Sequence, residues 1–280
     1  MFPFFTKKVI GIDISDSSLE IICLEKGLVK PKIFAYNRMV LPYGIILDGN
    51  ILHQDFLSEA IKHLLKTASP HALHDGLCLL SLPDSQFFIT ILHFPHVLQG
   101  KALRQAVLYD LETSFPLKMS DHYFDFQIIA QDRHFQDIFI VAATRHTIHN
   151  YLEVLFSSGL IPLVLDVETL SLGRALLGAS DKNKTIMIVD IGARYTNIGV
   201  FKNNIIRHLS SHPYGGENIN ANITEKLGIT HTEAERHKRK CNMYSRSCDK
   251  NVSLIIESEL RQIIIEIKKI IQSFLYSKNQ

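Results

Sequence analysis

The sequence predicts an α/β protein of two lobes, because one strand–turn pattern occurs twice along the chain. Residues 9–14 and 186–191 are apolar runs that deliver Asp13 and Asp190, respectively, into turns of small and hydroxyl residues. Each turn is followed by further apolar runs of strand length. The segment between the two patterns has its own helical and strand periodicity. We therefore expect two lobes that each open with an aspartate hairpin, and a smaller inserted subdomain.

The first lobe is expected to combine a sheet with a covering helix. Apolar and β-branched residues predict strands at 9–14, 19–25 and 33–41. Residues 55–67 place apolar side chains at helical spacing. Residues 76–82 form a continuous apolar run, which is typical of a buried strand.

Residues 84–158 are expected to form the inserted α+β subdomain. Two strand candidates there are half polar, as expected of a sheet with one face against a helix. Two other segments have the apolar spacing of helices. The predicted elements are strands at 87–94, 121–129 and 137–144, and helices at 101–115 and 147–157.

The chain then returns to the first lobe and enters the second. The loop 178–184 is the best boundary between them, so we assign 1–83 and 159–182 to the first lobe and 183–280 to the second. Residues from about 215 to 280 are expected to form a helical subdomain. The remaining predicted elements are strands at 161–166, 186–191, 198–201 and 205–212, and helices at 168–177, 217–227, 231–239 and 253–277.

Composition excludes several function classes. The 280 residues carry a formal charge of +2, which does not indicate a nucleic-acid binder. No apolar run reaches the roughly 18 residues that cross a bilayer, so we expect a cytoplasmic protein. Cys23 and Cys78 lie in apolar runs and are expected to be core thiols. Cys241 and Cys248 could form a zinc site with His231 and His237, although their spacing fits no standard zinc finger.

The two aspartates are the main candidates for chemistry. Carboxylates positioned after strands can hold Mg²⁺ through water, and small residues let backbone N–H groups approach phosphate oxygens. The alternative is that Asp13 and Asp190 only form strand-end turns. Ser17, Ser18 and Thr196 are equally suited to capping turns or contacting phosphate.

A series of short motifs follows one another in a specific order along the chain. These are 11–18 (GIDISDSS), 109–117 (YDLETSFPL), 125–128 (DFQI), 139–144 (FIVAAT), 159–162 (GLIP), 166–169 (DVET), 189–193 (VDIGA), 215–217 (GGE) and 234–238 (AERHK). The motifs and their order resemble those of the actin-like PilM proteins of bacterial type IV pilus assembly, relatives of the cell-division protein FtsA. The resemblance covers nearly the whole chain, and its specificity comes from the order of the motifs.

The resemblance implies an actin-like (ribonuclease H-like) fold that binds ATP and Mg²⁺ between its lobes, with at most weak ATPase activity. Glu235 and Lys238 would contact ribose and base, although at i and i+3 they are equally suited to a surface ion pair. The nucleotide-binding residues that it implies are Asp13, Ser17, Ser18, Asp190, Gly192, Ala193, Thr196, Gly215, Gly216, Glu235 and Lys238, with Asp13 and Asp190 holding Mg²⁺ through water.

The resemblance also implies partners. The family grips the cytoplasmic N-terminal tail of PilN in a groove between the first lobe and the inserted subdomain. The protein would thus be peripheral to the inner membrane, part of a PilN/PilO-type complex, and self-associating. Aromatic candidates for the groove are Phe87, Phe88, Tyr109 and Phe115, each of which also fits a core position.

Three departures from the family pattern qualify these expectations. Ser15 replaces the usual glycine, which matters if that position needs a positive φ. Glu20 replaces a lysine and adds negative charge near a phosphate. The chain also ends where the family continues into a strand and a glycine-rich turn, so we expect an incomplete second lobe. The alternatives are a scaffold without nucleotide, an FtsA-type protein, or a small-molecule kinase.

Overall fold

The computed structural model describes residues 8–27, 30–115, 117–241 and 248–276. Its strands are β1 (Val9–Ile14), β2 (Ser18–Glu25), β3 (Lys32–Val40), β4 (Ile46–Leu47), β5 (Asn50–Ile51), β6 (Gly76–Leu82), β7 (Phe88–Pro95), β8 (His122–Gln131), β9 (Phe135–Thr144), β10 (Leu160–Val167), β11 (Thr185–Ile191), β12 (Thr196–Lys202) and β13 (Ile205–His212). Its helices are α1 (Gln54–Lys66), α2 (Gly100–Ser114), α3 (Arg145–Ser157), α4 (Glu168–Leu176), α5 (Gly216–Leu227), α6 (His231–Lys240) and α7 (Lys250–Tyr276).

A five-stranded sheet, in the order β10-β6-β1-β2-β3, carries the first aspartate. Strands β10, β6 and β1 are parallel, whereas β1, β2 and β3 are antiparallel. Its core packs against α1 and α3, which bury Leu57, Leu64 and Leu155. The register places Asp13 opposite Glu20 on one side and Ser81 on the other.

A second sheet, in the order β7-β9-β8, is antiparallel and packs against α2. Leu103, Val107 and Leu111 on α2 form its core with Ile138 and Ile140 on β9. These strands and this helix lie close to the ranges predicted for them. Helix α3 instead buries its apolar side chains in the core of the first sheet.

The third sheet has the order β11-β12-β13 and is followed by three helices. Helices α5, α6 and α7 share a core that includes Ile223, Ala234 and Val252. Thr230 caps α6, because its hydroxyl accepts from Glu233 N while the Glu233 carboxylate accepts from Thr230 N.

Contacts divide the chain into two compact units. Unit 1 comprises Met1–Ile186 and Val200–Leu209, and unit 2 comprises Met187–Gly199 and Ser210–Gln280. The lobe boundaries given above remain a prediction. No helix in the described ranges is long and apolar enough to cross a membrane.

The structure also differs from the expectations in detail. Helix α3 begins at Arg145 rather than Thr147, because the Thr144 hydroxyl accepts from Thr147 N at 3.0 Å and caps the helix. The β4–β5 hairpin was not predicted. Cys23 and Cys78 are buried free thiols, as expected. Cys241 and Cys248 form a disulfide, so the zinc alternative is wrong: their thiolates are not available as ligands.

Candidate functional site

The first aspartate loop lies in unit 1, between β1 and β2, and serine side chains close it. Ser15 N donates to Ser18 O at 2.9 Å, and Ser18 N donates to the Ser15 hydroxyl at 3.1 Å. The two hydroxyls lie 3.1 Å apart. The carboxylate of Asp13 is exposed at the end of β1, and Ser17 is exposed at the tip of the turn. Ser18 therefore holds the turn rather than pointing outward.

Ser15 and Glu20, the two departures from the family pattern, are both accommodated by local contacts. Ser15 is not among the residues with positive φ, so the turn does not require glycine at this position. Glu20 forms an ion pair of 2.7 Å with Arg38 on the neighbouring strand β3. The extra negative charge thus has a cation beside it.

Asp16 is a residue of this loop that was not among the predicted site residues. Its carboxylate accepts backbone N–H bonds from Asp48 at 2.7 Å and Gly49 at 3.0 Å. The Asp48-Gly49 dipeptide is a recognised signal for a two-residue hairpin turn, which here joins β4 to β5. The sequence thus contained a signal for the turn, but none for the carboxylate that binds it.

Acidic side chains gather around the first loop. Burial raises the pKa of the Tyr151 phenol above its ordinary value, and the negative charges of Asp16, Asp13 and Glu168 raise it further. These three carboxylates are therefore close enough to influence one buried hydroxyl. Glu168, the first residue of α4, is an acid that sequence reasoning missed, because only the parallel β1-β6-β10 topology brings the start of α4 to the end of the sheet at which β1 ends.

The second aspartate loop lies in unit 2, between β11 and β12, and backbone contacts hold it. Gly192 N donates to Tyr195 O at 2.9 Å, which closes the turn. Asp190 is half-buried at the end of β11, and burial raises the pKa of its carboxyl. The Thr196 hydroxyl is buried and donates to Tyr214 O at 2.6 Å. Thr196 therefore ties this loop to the segment that precedes α5.

The glycine pair at the start of α5, Gly215 and Gly216, packs directly on the second loop. Gly216 N donates to Gly192 O at 3.0 Å, and Glu217 N donates to Ala193 O at 2.7 Å. A Cβ on Gly215 would lie 2.5 Å from Ala193 O. Close approach of the two backbones thus requires glycine at position 215.

Glu235 and Lys238 on α6 complete this cluster. Their side chains form an ion pair of 2.6 Å, and Lys238 Nζ also donates to Gly216 O at 3.0 Å. Burial acts to raise the pKa of Glu235, but hydrogen bonds from Lys238, Arg239 and Asn220 outweigh it and bring the pKa to about 2. The pair thus holds the start of α5 in place through Lys238, and the charges of the two side chains neutralise each other.

The predicted site residues therefore form two groups. Asp13, Ser17 and Ser18 share the first loop in unit 1. The second group, around the start of α5 in unit 2, is Asp190, Gly192, Ala193, Thr196, Gly215, Gly216, Glu235 and Lys238. A half-buried carboxylate beside a glycine-lined turn suits a hydrated Mg²⁺ with phosphate. The residues of the second group therefore fit the Mg²⁺ and nucleotide that the family resemblance implies.

A cavity of about 640 Å³ lies elsewhere in unit 1. One wall is the segment from β5 into the first turn of α1, and the other is the start of α3. Gln54 Nε2 donates to Asn150 Oδ1 at 3.3 Å between the two walls. The residues that line the cavity are Ile51, Leu52, His53, Gln54, Asp55, Phe56, His146 and Asn150.

None of the four aromatic candidates is among the residues that line this cavity. Phe88 and Phe115 pack together in the core beside α2, with ring centroids 4.7 Å apart. Phe87 packs against the core of the first sheet. Tyr109 is exposed on α2. The alternative interpretation, that these aromatics occupy packed positions, thus accounts for three of the four.

Sequence comparison relates the chain to two groups of proteins. A family profile described as type IV pilus assembly protein PilM matches residues 11–280. The cell division protein FtsA of Bacillus subtilis (strain 168) is 31% identical over 101 residues, which is 36% of this chain and 23% of that protein. The chain thus matches about a quarter of the length of its curated relative.

Comparison with solved structures identifies proteins whose fold is similar to that of this chain. A PilM–PilN type IV pilus biogenesis complex matches with a TM-score of 0.82 and 21% identity, over 96% of this chain and 78% of the other. The ethanolamine utilization protein EutJ from Carboxydothermus hydrogenoformans matches with a TM-score of 0.59 and 14% identity, over 97% and 74% of the two chains. MreB 5 of Spiroplasma citri bound to AMPPNP matches with a TM-score of 0.53 and 12% identity, over 95% and 79%.

The predicted actin-like α/β fold is therefore confirmed. The family profile extends over nearly all of the sequence and includes both aspartate loops. By this match the chain belongs to the family of type IV pilus assembly proteins PilM.

Proposed function

We propose that this protein is a nucleotide-binding scaffold of the type IV pilus assembly machinery that holds the cytoplasmic N-terminal tail of PilN. Membership of the PilM family supports the assembly role. A PilM–PilN complex with a TM-score of 0.82 to this chain supports the choice of partner. Through this partner the protein would be peripheral to the inner membrane, beside a PilN/PilO-type complex and with further copies of itself.

The two aspartate loops support nucleotide binding. Asp13 and Asp190 would hold Mg²⁺ through water, and Ser17 would face the phosphates from the tip of the first loop. Bound Mg²⁺ would neutralise phosphate charge. The Glu235–Lys238 pair would contact the nucleoside from α6. In this proposal the nucleotide fixes the conformation of the scaffold, and rapid hydrolysis is not required.

The single observation that carries partner binding is the cavity in unit 1. One wall comes from a segment of the expected first lobe, and the other from His146 and Asn150 on α3, which packs on the core of the first sheet. Because α3 directly follows β9 of the inserted sheet, the cavity lies close to where the chain leaves that sheet, and the family resemblance implies a tail groove beside the inserted subdomain. Exposed Leu52 and half-exposed Phe56 offer apolar contacts, while the uncapped start of α1 offers polar ones. This mixture suits a short peptide better than a purely apolar ligand.

A titration with a synthetic peptide of the cognate PilN tail tests partner binding. Leu52→Asp introduces a charge into the cavity wall and should weaken peptide binding at least about 10-fold. Leu176→Asp is the matched control, since this exposed leucine at the end of α4 does not line the cavity. Equal affinities for both variants and the wild type would place the tail elsewhere.

A scaffold without nucleotide is the second candidate. Ser15 and Glu20 favour it, because the first loop is closed by its own hydroxyls and carries an added acid. Thermal unfolding with and without Mg·ATP separates the two candidates. Nucleotide binding should raise the unfolding midpoint. An unchanged midpoint in a protein that still binds the PilN tail would establish the second candidate.

A further inference from the structure

The β4–β5 turn, formed by Asp48 and Gly49, is bonded by side chains from three separate segments of unit 1. Both of its residues have positive φ, 51° for Asp48 and 73° for Gly49, as a two-residue hairpin turn of type I′ requires. The Asp16 carboxylate accepts both backbone N–H groups of the turn. The carbonyl groups are bonded as well: Gln86 Nε2 donates to Asp48 O at 2.5 Å, and the buried Tyr151 hydroxyl donates to Gly49 O at 2.8 Å.

This turn stands between the first aspartate loop and the cavity. On one side, Asp16 belongs to the same loop as Asp13 and Ser17. On the other side, the chain leaves the turn through β5 and at once lines the cavity with Ile51 and the residues that follow. The turn therefore has a direct covalent connection to one cavity wall.

The second cavity wall is connected to the turn as well. Tyr151, which binds Gly49 O, is the neighbour of Asn150, which lines the cavity and accepts from Gln54. The Gln86 side chain also packs directly on the turn, since a Cβ on Gly49 would lie 2.8 Å from Gln86 Cγ. A displacement of Asp16 would thus move the turn and both cavity walls together.

We propose that the Asp48–Gly49 turn couples the first aspartate loop to the cavity, with Asp16, Gln86 and Tyr151 as its positioning residues. The inference rests on the proposed function and adds to it the regulation of tail binding by nucleotide. A nucleotide that fixes the first loop fixes Asp16 in the orientation that binds the turn. The cavity walls are then held apart at the distance that the tail needs.

The coupling is measurable as a ratio. Tail peptide is titrated into the wild type with and without Mg·AMPPNP, and the ratio of the two dissociation constants is the coupling factor. We expect Mg·AMPPNP to tighten tail binding about 10-fold, and the tail to tighten nucleotide binding by the same factor, as linkage demands. A purely structural role of the turn would change both affinities without creating this ratio.

Asp16→Asn should bring the coupling factor close to 1 while each ligand still binds alone. An asparagine offers only one acceptor oxygen and turns its NH₂ group toward the second backbone N–H. Tyr151→Phe removes only the hydrogen bond to Gly49 O and should lower the coupling factor as well. It replaces Asp16→Asn as the test variant if Asp16→Asn does not fold. Circular dichroism and unfolding curves confirm that each variant is folded.

Asp132→Asn is the matched control. Asp132 also accepts two backbone N–H bonds in a hairpin turn, from His134 at 2.7 Å and Phe135 at 2.8 Å, but its turn joins β8 to β9. This variant should keep the wild-type factor. The coupling would be overturned, and the proposed function left intact, by either of two results. One is a wild type that binds both ligands with a coupling factor of 1, and the other is an Asp16→Asn variant whose coupling factor is unchanged. A wild type that fails to bind one of the ligands would overturn the corresponding part of the proposed function, and the coupling with it.

Discussion

The two aspartate loops share one sequence pattern but are built by different interactions. Side chains shape the first loop: the hydroxyls of Ser15 and Ser18 close it, and the Asp16 carboxylate binds a neighbouring turn. Backbone groups shape the second loop, where Gly216 N and Glu217 N bond to the carbonyls of residues 192 and 193. Asp13 is exposed at the first loop, whereas Asp190 is half-buried at the second.

This difference predicts which substitutions each loop tolerates. A loop held by side chains loses about one hydrogen bond when one side chain is truncated. A loop held by close backbone packing has no room for an added atom. The second loop should therefore be the more sensitive to small changes in volume, and the first loop to changes in polarity.

Gly215→Ala should have the largest effect. The new Cβ would lie 2.5 Å from Ala193 O and 2.8 Å from Arg194 C, so the second loop or the start of α5 must shift. We expect a loss of about 3 kcal/mol in the free energy of unfolding, measured by urea denaturation. Gly178→Ala is the control, because its nearest neighbours would lie 3.9 Å away. Similar small losses in both variants would contradict close packing at the second loop.

Glu235→Gln should have the next largest effect, and it should depend on pH. The folded-state pKa of about 2 lies below the ordinary value of 4.5, so the charged carboxylate stabilises the fold above about pH 4.5. This stabilisation is lost as pH falls toward 2. The variant should lose roughly 2 kcal/mol at pH 7, and the difference from the wild type should narrow on acidification.

Urea unfolding of Glu235→Gln at several pH values from 7 to 3 provides the measurement. Glu257→Gln is the control, since Glu257 forms an exposed ion pair of 3.2 Å with Arg261 on α7. It should change stability by less than about 0.5 kcal/mol at every pH. A constant difference between Glu235→Gln and the wild type over the whole range would exclude the charge as the cause.

Ser15→Ala tests the side-chain closure of the first loop. The substitution removes the hydroxyl that accepts from Ser18 N, and we expect a loss of about 1 kcal/mol in the free energy of unfolding. Ser17→Ala, two residues along the same turn, removes an exposed hydroxyl and should leave the unfolding curve without nucleotide unchanged. If the two variants behaved alike, the serine closure would not stabilise the loop.

Glu20→Lys restores the residue type usual in the family and should have the smallest effect. It replaces the 2.7 Å ion pair with Arg38 by two like charges on neighbouring strands, and we expect a loss of about 0.5 kcal/mol. The double variant Glu20→Lys with Arg38→Glu should recover this loss. Failure of the second change to rescue the first, in parallel thermal unfolding curves, would mean that the pair contributes nothing.

The periodicity of apolar residues predicted most of the fold, but it did not predict contacts between residues that lie far apart in the sequence. The spacing of apolar residues located the strands of both aspartate hairpins and the amphipathic helices. The bonds from Asp16 to Asp48 and Gly49 cross more than thirty residues and have no periodic signal. The same holds for Asn220, which binds Glu235 from another helix. Such contacts follow from the completed fold rather than from local sequence.

The most direct test of the central claim is calorimetric titration of Mg·ATP into the wild type, Asp13→Asn and Asp190→Asn. If both aspartates contribute to nucleotide binding, the wild type should bind Mg·ATP, and each substitution should weaken binding at least about 10-fold. Circular dichroism verifies that each protein is folded. Tight binding that survives either substitution, or no binding by the folded wild type, would contradict the account.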